Sequence, residues 1–349
     1  MNITFLVGNG FDIACGIDTS YGAFYEWYCD KPSNKKHIEE FKKNIKEDIN
    51  GEGKNWVDFE LGLGKYTKHF TVDTVDDFLD CYDDAQSSII KFVEEKKSLY
   101  DLENLPNEEL IKFKKGLTNF HTSVYPQEQK RFNELFNKDT SNNRILSFLS
   151  FNYSDTLDKL LEAISGTPLK EWDYNNIKRK MYINPKIIHM HGTLSQFPII
   201  GVNDASQIAN QELLKVPDFA NAMLKPQCVS AIGRLWHEEA EEEISKSTII
   251  CVFGMSLGES DAKWWGRLVK WLKDNSNRHL IVYWYSKNPP DGISTRRELS
   301  EQRQVKEKLC GYHKLNEDEF DNIKSRIHVV VNTKDVLNVN LSRKEAVTV

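Results

Sequence analysis

The chain has 349 residues, enough to bury a large core in one large or two modest domains. A net charge of −6 and a pI near 5.9 leave no global basic footprint, which sets extensive nucleic-acid binding aside and favours a small-molecule ligand. Six scattered cysteines without a C-x-x-C pair read as reduced thiols. With no basic cleavable leader and no apolar run near the ~18 residues of a membrane span, the expected location is cytoplasmic, away from the membrane.

The chain opens on a strand. Ile3 to Val7 is apolar and β-branched and runs into Gly8-Asn9-Gly10-Phe11-Asp12, a strand, tight turn and helix start. Glycines there let a backbone approach a bound group, and free N–H groups at the helix start suit a phosphate. The Rossmann fingerprint is incomplete, because its third glycine position holds Ile13 and the next glycine is Gly16. A P-loop is absent, since Gly62-Leu63-Gly64-Lys65-Tyr66 has neither the spacing nor the hydroxyl.

Residues 31–138 change character. They are rich in Lys and Glu and apolar at helical spacing, as in Ile38, Phe41, Ile45 and in Val75, Phe78, Leu79, Tyr82. A helical insertion is expected here, acting as a cap or a partner surface. Within it Trp56-Val57-Asp58-Phe59-Glu60 reads first as a helix start, with Trp56 in the core and Asp58 near the helix N-terminus.

The strand pattern resumes at Ile145 to Phe151, followed by Asn152-Tyr153-Ser154-Asp155-Thr156 and a helical repeat of Leu157, Leu160, Leu161 and Ile164. Ligands of open α/β sheets bind at the carboxyl ends of strands, so Asn152 to Asp155 would lie beside the first turn. Ser154 and Thr156 read as helix caps. In Lys186-Ile187-Ile188-His189-Met190-His191-Gly192, histidines two apart on a strand can face one site. Gln196 to Asn203 reads as a further short strand ending in glycine and amides. A helix pair is expected around 210–245. Ser247 to Phe253 gives the strongest buried strand and runs into Gly254-Met255-Ser256-Leu257-Gly258-Glu259-Ser260-Asp261. Leu280 to Tyr285 and Ile327 to Val331 supply two more strands.

Strand ends that all carry Gly, Asn, Ser, Asp or His amount to a parallel sheet with one polar crevice. The expected fold is α/β, a Rossmann-like parallel sheet flanked by helices. Residues 1–30 and 139–335 form the nucleotide-binding domain, 31–138 the insertion after the first strand-helix unit, and 336–349 a tail.

Taken together, Gly8-Asn9-Gly10-Phe11-Asp12 with Gly16, Thr19, Tyr21 and Phe24, Trp56-x-Asp58-x-Glu60, Phe151-Asn152-Tyr153-x-x-Thr156-Leu157, His189-x-His191-Gly192, Gly201-Val202-Asn203-Asp204 and Gly254-x-Ser256-Leu257-Gly258-x-x-Asp261 resemble the AbiH family of phage abortive-infection proteins. The resemblance spans residues 1 to about 270 and implies antiphage defence. A more distant similarity, to bacterial SIR2-type domains that hydrolyse NAD in antiphage systems, implies the chemistry. On that mapping Asn152 holds the nicotinamide-ribose end and its water, and His191 is the catalytic histidine and general base. Asp12 or Asp155 orients it or stabilises charge on the sugar. Gly8, Asn9, Gly10, Phe11, Asp12, Thr19, His189, Gly254, Ser256 and Asp261 line the dinucleotide. The mapping departs from the pattern where Ser154 stands in place of an acidic residue and where Phe11-Asp12 replaces small residues.

NAD is then the substrate, with no prosthetic group and no resident metal, and the expected partners are a phage-derived trigger and further copies of the chain. Two alternatives stand beside this reading. One is a metal-dependent hydrolase or nuclease with His189, His191, Asp12 and Asp261 around a divalent ion; the other is a non-catalytic nucleotide sensor.

Overall fold

The computed structural model describes residues 1–344 apart from 52, 54, 142, 175, 197, 287–294 and 334. One mixed sheet organises the chain. Its seven strands are β1 (Asn2–Val7), β2 (Asn143–Ser150), β3 (Lys170–Tyr174), β4 (Ile177–His189), β5 (Ile249–Phe253), β6 (His279–Trp284) and β7 (Ile327–Val331). They lie in the order β3-β4-β2-β1-β5-β6-β7. Only β3 is antiparallel, hairpinned onto β4 at the edge. Numbered without it, the six parallel strands run 3-2-1-4-5-6, the order of dinucleotide-binding sheets, whose ligand crevice opens where the order reverses. That reversal lies between β1 and β5.

β1 is central because it is apolar on both faces. Ile3, Phe5 and Val7 enter one core with Phe148, Phe113 and Phe120, while Leu6 enters the other with Leu149, Ile250 and Val252. The second face is covered by the helix Ala262–Asp274, which buries Trp264, Trp265, Leu268, Val269, Trp271 and Leu272. Each such side chain contributes about 1.5–3 kcal/mol by leaving water, so this helix alone anchors the β5 end of the sheet.

Residues 31–138 contain helices and no strand among the described residues, and they divide between two cores. Ile38, Phe41, Ile45, Phe59, Phe78 and Phe92 join Phe24 and Tyr28 in an aromatic core that also takes Ile200, Val202, Phe219 and Met223. Phe113, Leu117, Phe132 and Phe136 instead pack on the sheet. The weakly patterned end of the chain is also packed there, with Val336, Leu337, Val339 and Leu341 buried; residues 345–349 of the expected tail lie outside the described residues.

One expected strand is absent. Residues 198–203 form no strand, and only Val202 makes an isolated bridge, to Leu224. Pro198 has no N–H to donate, and Gly201 passes so close to Met223 that an added Cβ would lie 2.5 Å from its carbonyl oxygen. Phe197 lies outside the described residues. The 210–245 region holds three α-helices, Pro217–Met223, Lys225–Ala231 and Trp236–Lys246, after a short 3-10 helix, Gln211–Lys215. β3 carried no expectation: Lys170-Glu171-Trp172-Asp173-Tyr174 is short, charged and largely unburied, as edge strands are.

Candidate functional site

The first turn and the turn after β5 meet at the reversal point. The Gly10 N–H donates to the Gly254 carbonyl at 2.8 Å, and the Phe11 N–H donates to the Gly8 carbonyl at 2.9 Å. A Cβ on Gly10 would sit 2.6 Å from the Gly254 Cα, and one on Gly254, at φ +68°, 2.6 Å from the Phe11 nitrogen. The glycines therefore let two loops touch. Of the amides expected to be free for a phosphate at this helix start, those of Gly10 and Phe11 are taken up by carbonyls, and the helix Gly10–Ala14 has only five residues. Phe11 is a core residue, packed on Phe113 and Phe253. Asn9 and Thr19 hold each other through two hydrogen bonds, at 2.6 and 2.8 Å. Ser256 is exposed.

The neighbouring strand ends carry unsatisfied polar groups. Ser154 Oγ donates to Asp12 Oδ2 at 2.6 Å, and Asp12 Oδ1 has no partner. Ser154 is thus no helix cap. Its hydroxyl is claimed by the buried carboxylate, and the helix Thr156–Ile164 begins at Asp155 without a side-chain cap. Burial pushes the Asp12 carboxyl up to about 6 against the pull of the Ser154 and Thr156 hydroxyls. Asn152, 3% exposed, leaves both its amide nitrogen and its amide oxygen without a partner. Asp155 stands apart, half-exposed in an ion pair with Lys97 of the insertion at 2.7 Å.

The two histidines do not share a site. His189 Nε2 lies 2.9 Å from Asp158 Oδ1 on the helix Thr156–Ile164. It also lines a cleft of about 360 Å³ with Lys186, Thr193, Gln196 and Trp236 along the outer edge of β4. His191, past the end of the strand, turns the other way into a buried ionic cluster. Its Nε2 lies 3.0 Å from Lys225 Nζ and 3.6 Å from Asp261 Oδ1. Lys225, 1% exposed, also donates to Glu60 Oε2 at 2.7 Å and lies 3.8 Å from Asp261. Asn203 Nδ2 donates to the Ser260 carbonyl and lies 3.5 Å from Asp261 Oδ1. Asp261 keeps 16% of its side chain exposed, so it is the cluster's edge toward solvent.

Charge inside the cluster is set by proximity. Burial raises the Glu60 carboxyl more than the Lys225 ammonium lowers it. Burial would lower the Lys225 ammonium, but Glu60 and Asp261 outweigh it and hold the lysine charged. Asp261, which burial would raise, is kept at about 2 chiefly by the Lys225 ammonium, with help from the Asn203 amide. Glu60 reaches the sheet because its helix, Phe59–Tyr66, is set locally. Asp58 caps it by accepting from the Glu60 and Leu61 N–H groups at 3.1 and 3.2 Å. Gly64 then lets it approach Gln207, whose carbonyl would lie 2.3 Å from a Cβ there.

The motifs singled out in the sequence thus meet at one end of one sheet. The model of the family described as bacteriophage abortive infection AbiH matches residues 4–283. The chain belongs to the AbiH family. That membership places it in abortive infection of bacteriophage. No curated protein matches it. The AbiH match extends past Lys225, which the sequence reading missed together with the roles of Glu60 and Asn203. Lys225 follows Met223 and Leu224 in no recognisable pattern; the only hint was a lysine inside an otherwise apolar turn before Pro226. Among the described residues, no three His, Cys, Asp or Glu side chains are arranged to hold a metal ion. His191 and Asp261 share the Lys225 cluster, while His189 pairs with Asp158 and Asp12 with Ser154, so the four do not converge on one ion. No helix among the described residues is long and apolar enough to cross a membrane.

Proposed function

We propose that this AbiH protein is an abortive-infection effector that binds NAD across the carboxyl ends of β1, β2, β4 and β5 and cleaves its N-glycosidic bond. The observation that carries the reading is Asn152. A buried amide with neither atom paired is rare and asks for a partner, and this one stands at a strand end two residues before Ser154, the partner of Asp12, whose Oδ1 is equally unpaired. The strand order supports a dinucleotide, and the similarity to SIR2-type domains supports NAD.

The reaction passes through an oxocarbenium-like state. Water adds to the anomeric carbon of the ribose, and the bond from that carbon to the pyridinium nitrogen breaks with its electron pair going to nicotinamide. The water proton leaves to a base, giving ADP-ribose. Asn152 positions the ribose and water, and the Asp12 carboxylate is the group that takes the proton, with His191 at a neighbouring strand end.

Ligand-dependent stabilisation tests the binding step without the phage trigger. NAD at a hundred times its dissociation constant stabilises a folded protein by about 2.7 kcal/mol. The expected result is that NAD raises the melting temperature of the wild type and leaves Asn152→Ala unmoved. No shift in either protein at millimolar NAD overturns the reading.

A further inference from the structure

We infer that Lys225 is a positioning residue that fixes the ring tautomer of His191, with the Nε2 lone pair facing the ammonium and the ring proton on Nδ1. The inference concerns the chain's own hydrogen bonding; only its catalytic consequence rests on the NAD reading.

The geometry leaves two arrangements at Nε2. If Nε2 carried a proton, two donors would face each other across 3.0 Å, and the nearest acceptor, Asp261 Oδ1, would be 3.6 Å away, too far for a hydrogen bond. If Nε2 carries the lone pair, it accepts from Lys225 at 3.0 Å, a charge-assisted bond of ordinary length. The second arrangement requires only that Lys225 remain an ammonium. Glu60 at 2.7 Å and Asp261 at 3.8 Å supply that condition, since two carboxylates flank one lysine. The tautomer of a histidine is fixed by the groups around it, and here the group is a cation with no lone pair to offer.

Titratable groups of several elements face Lys225 and the ring. Glu60 comes from the helix Phe59–Tyr66 and Asp58 from its N-cap, Asp261 from the turn Glu259–Asp261, and His237 from the helix Trp236–Lys246. The ring's flat surroundings are apolar, with Phe151 edge-on at 5.4 Å and Tyr153 at 6.2 Å. A histidine held in this way has its Nε2 lone pair engaged by the ammonium. On the NAD reading, the proton released by water passes to the Asp12 carboxylate, whose Oδ1 is free.

Nitrogen NMR of histidine-labelled full-length protein reads the tautomer directly, with His191 assigned by its loss in His191→Gln. The expected wild-type signal between pH 6.5 and 8 is a protonated Nδ1 and a bare Nε2. In Lys225→Met, and in Lys225→Met with Glu60→Gln should the single variant not fold, no cation faces Nε2, the nearest group left is the Asp261 carboxylate, and a small movement of the ring toward it leaves Nε2 protonated. A wild-type ring protonated on Nε2, or one unchanged by losing the lysine, overturns the inference. Neither readout depends on turnover, so failure of the NAD reading leaves this result standing and distinguishable.

Discussion

Removing the cation from the buried cluster is the sharpest perturbation the structure offers. Lys225→Met keeps the aliphatic stem and deletes the ammonium, leaving Glu60 Oε2 without its 2.7 Å partner while Oε1 already has none. Breaking a buried pair on one side costs about 3–5 kcal/mol, because an uncompensated carboxylate remains in a low-dielectric interior. Adding Glu60→Gln removes that charge. The remaining penalty is an underpaired amide, about 1–3 kcal/mol, so the double variant should be more stable than the single one. Glu60→Gln alone should fall between wild type and Lys225→Met, since Asp261 and His191 still face the lysine. Urea unfolding at pH 7.5, followed by far-ultraviolet circular dichroism at constant m, measures all four corners of the cycle. A Lys225→Met cost below about 1 kcal/mol, or a double variant less stable than Lys225→Met, would refute the buried pairing.

Further outcomes follow from the loops and from Asp12. Gly10→Ala places a Cβ 2.6 Å from backbone that cannot swing aside, so it should cost about 1–3 kcal/mol in urea unfolding; Gly22→Ala, with nothing within 4 Å, should be neutral or slightly stabilising. Equal effects at the two sites would contradict the loop-to-loop contact. Asp12 holds its proton more tightly folded, near 6, than unfolded, near 3.8, so its contribution to stability falls as pH rises between those values and is flat above. Asp12→Asn should therefore exceed wild type at pH 8 by up to about 3 kcal/mol, the gap closing toward pH 4. A gap that widens in acid would reverse the sign.

Much of the architecture was legible because strands buried on both faces are nearly continuous apolar runs. Ile3 to Val7 and Ile249 to Phe253 could hardly be read otherwise, and the alternation of Phe5 and Leu6 between two cores follows from the pleat. Residues that act across long sequence separations were harder to read. Glu60 and Lys225 are 165 positions apart, and nothing local marks them as partners. The glycines of the first turn were visible but ambiguous, because closeness to a ligand and closeness to Gly254 require the same missing Cβ. Pairing of His189 with His191 failed for a simpler reason: the strand ends at His189, so the period of two no longer governs the second ring.

The central claim is that Asn152 and its neighbours cleave NAD during infection. Mass spectrometry of NAD in phage-challenged cells tests it most directly, comparing wild type with Asn152→Ala expressed at equal level. The account predicts that NAD collapses in wild-type cells and persists in the variant. Undiminished NAD in wild-type cells that nonetheless arrest the phage would contradict it.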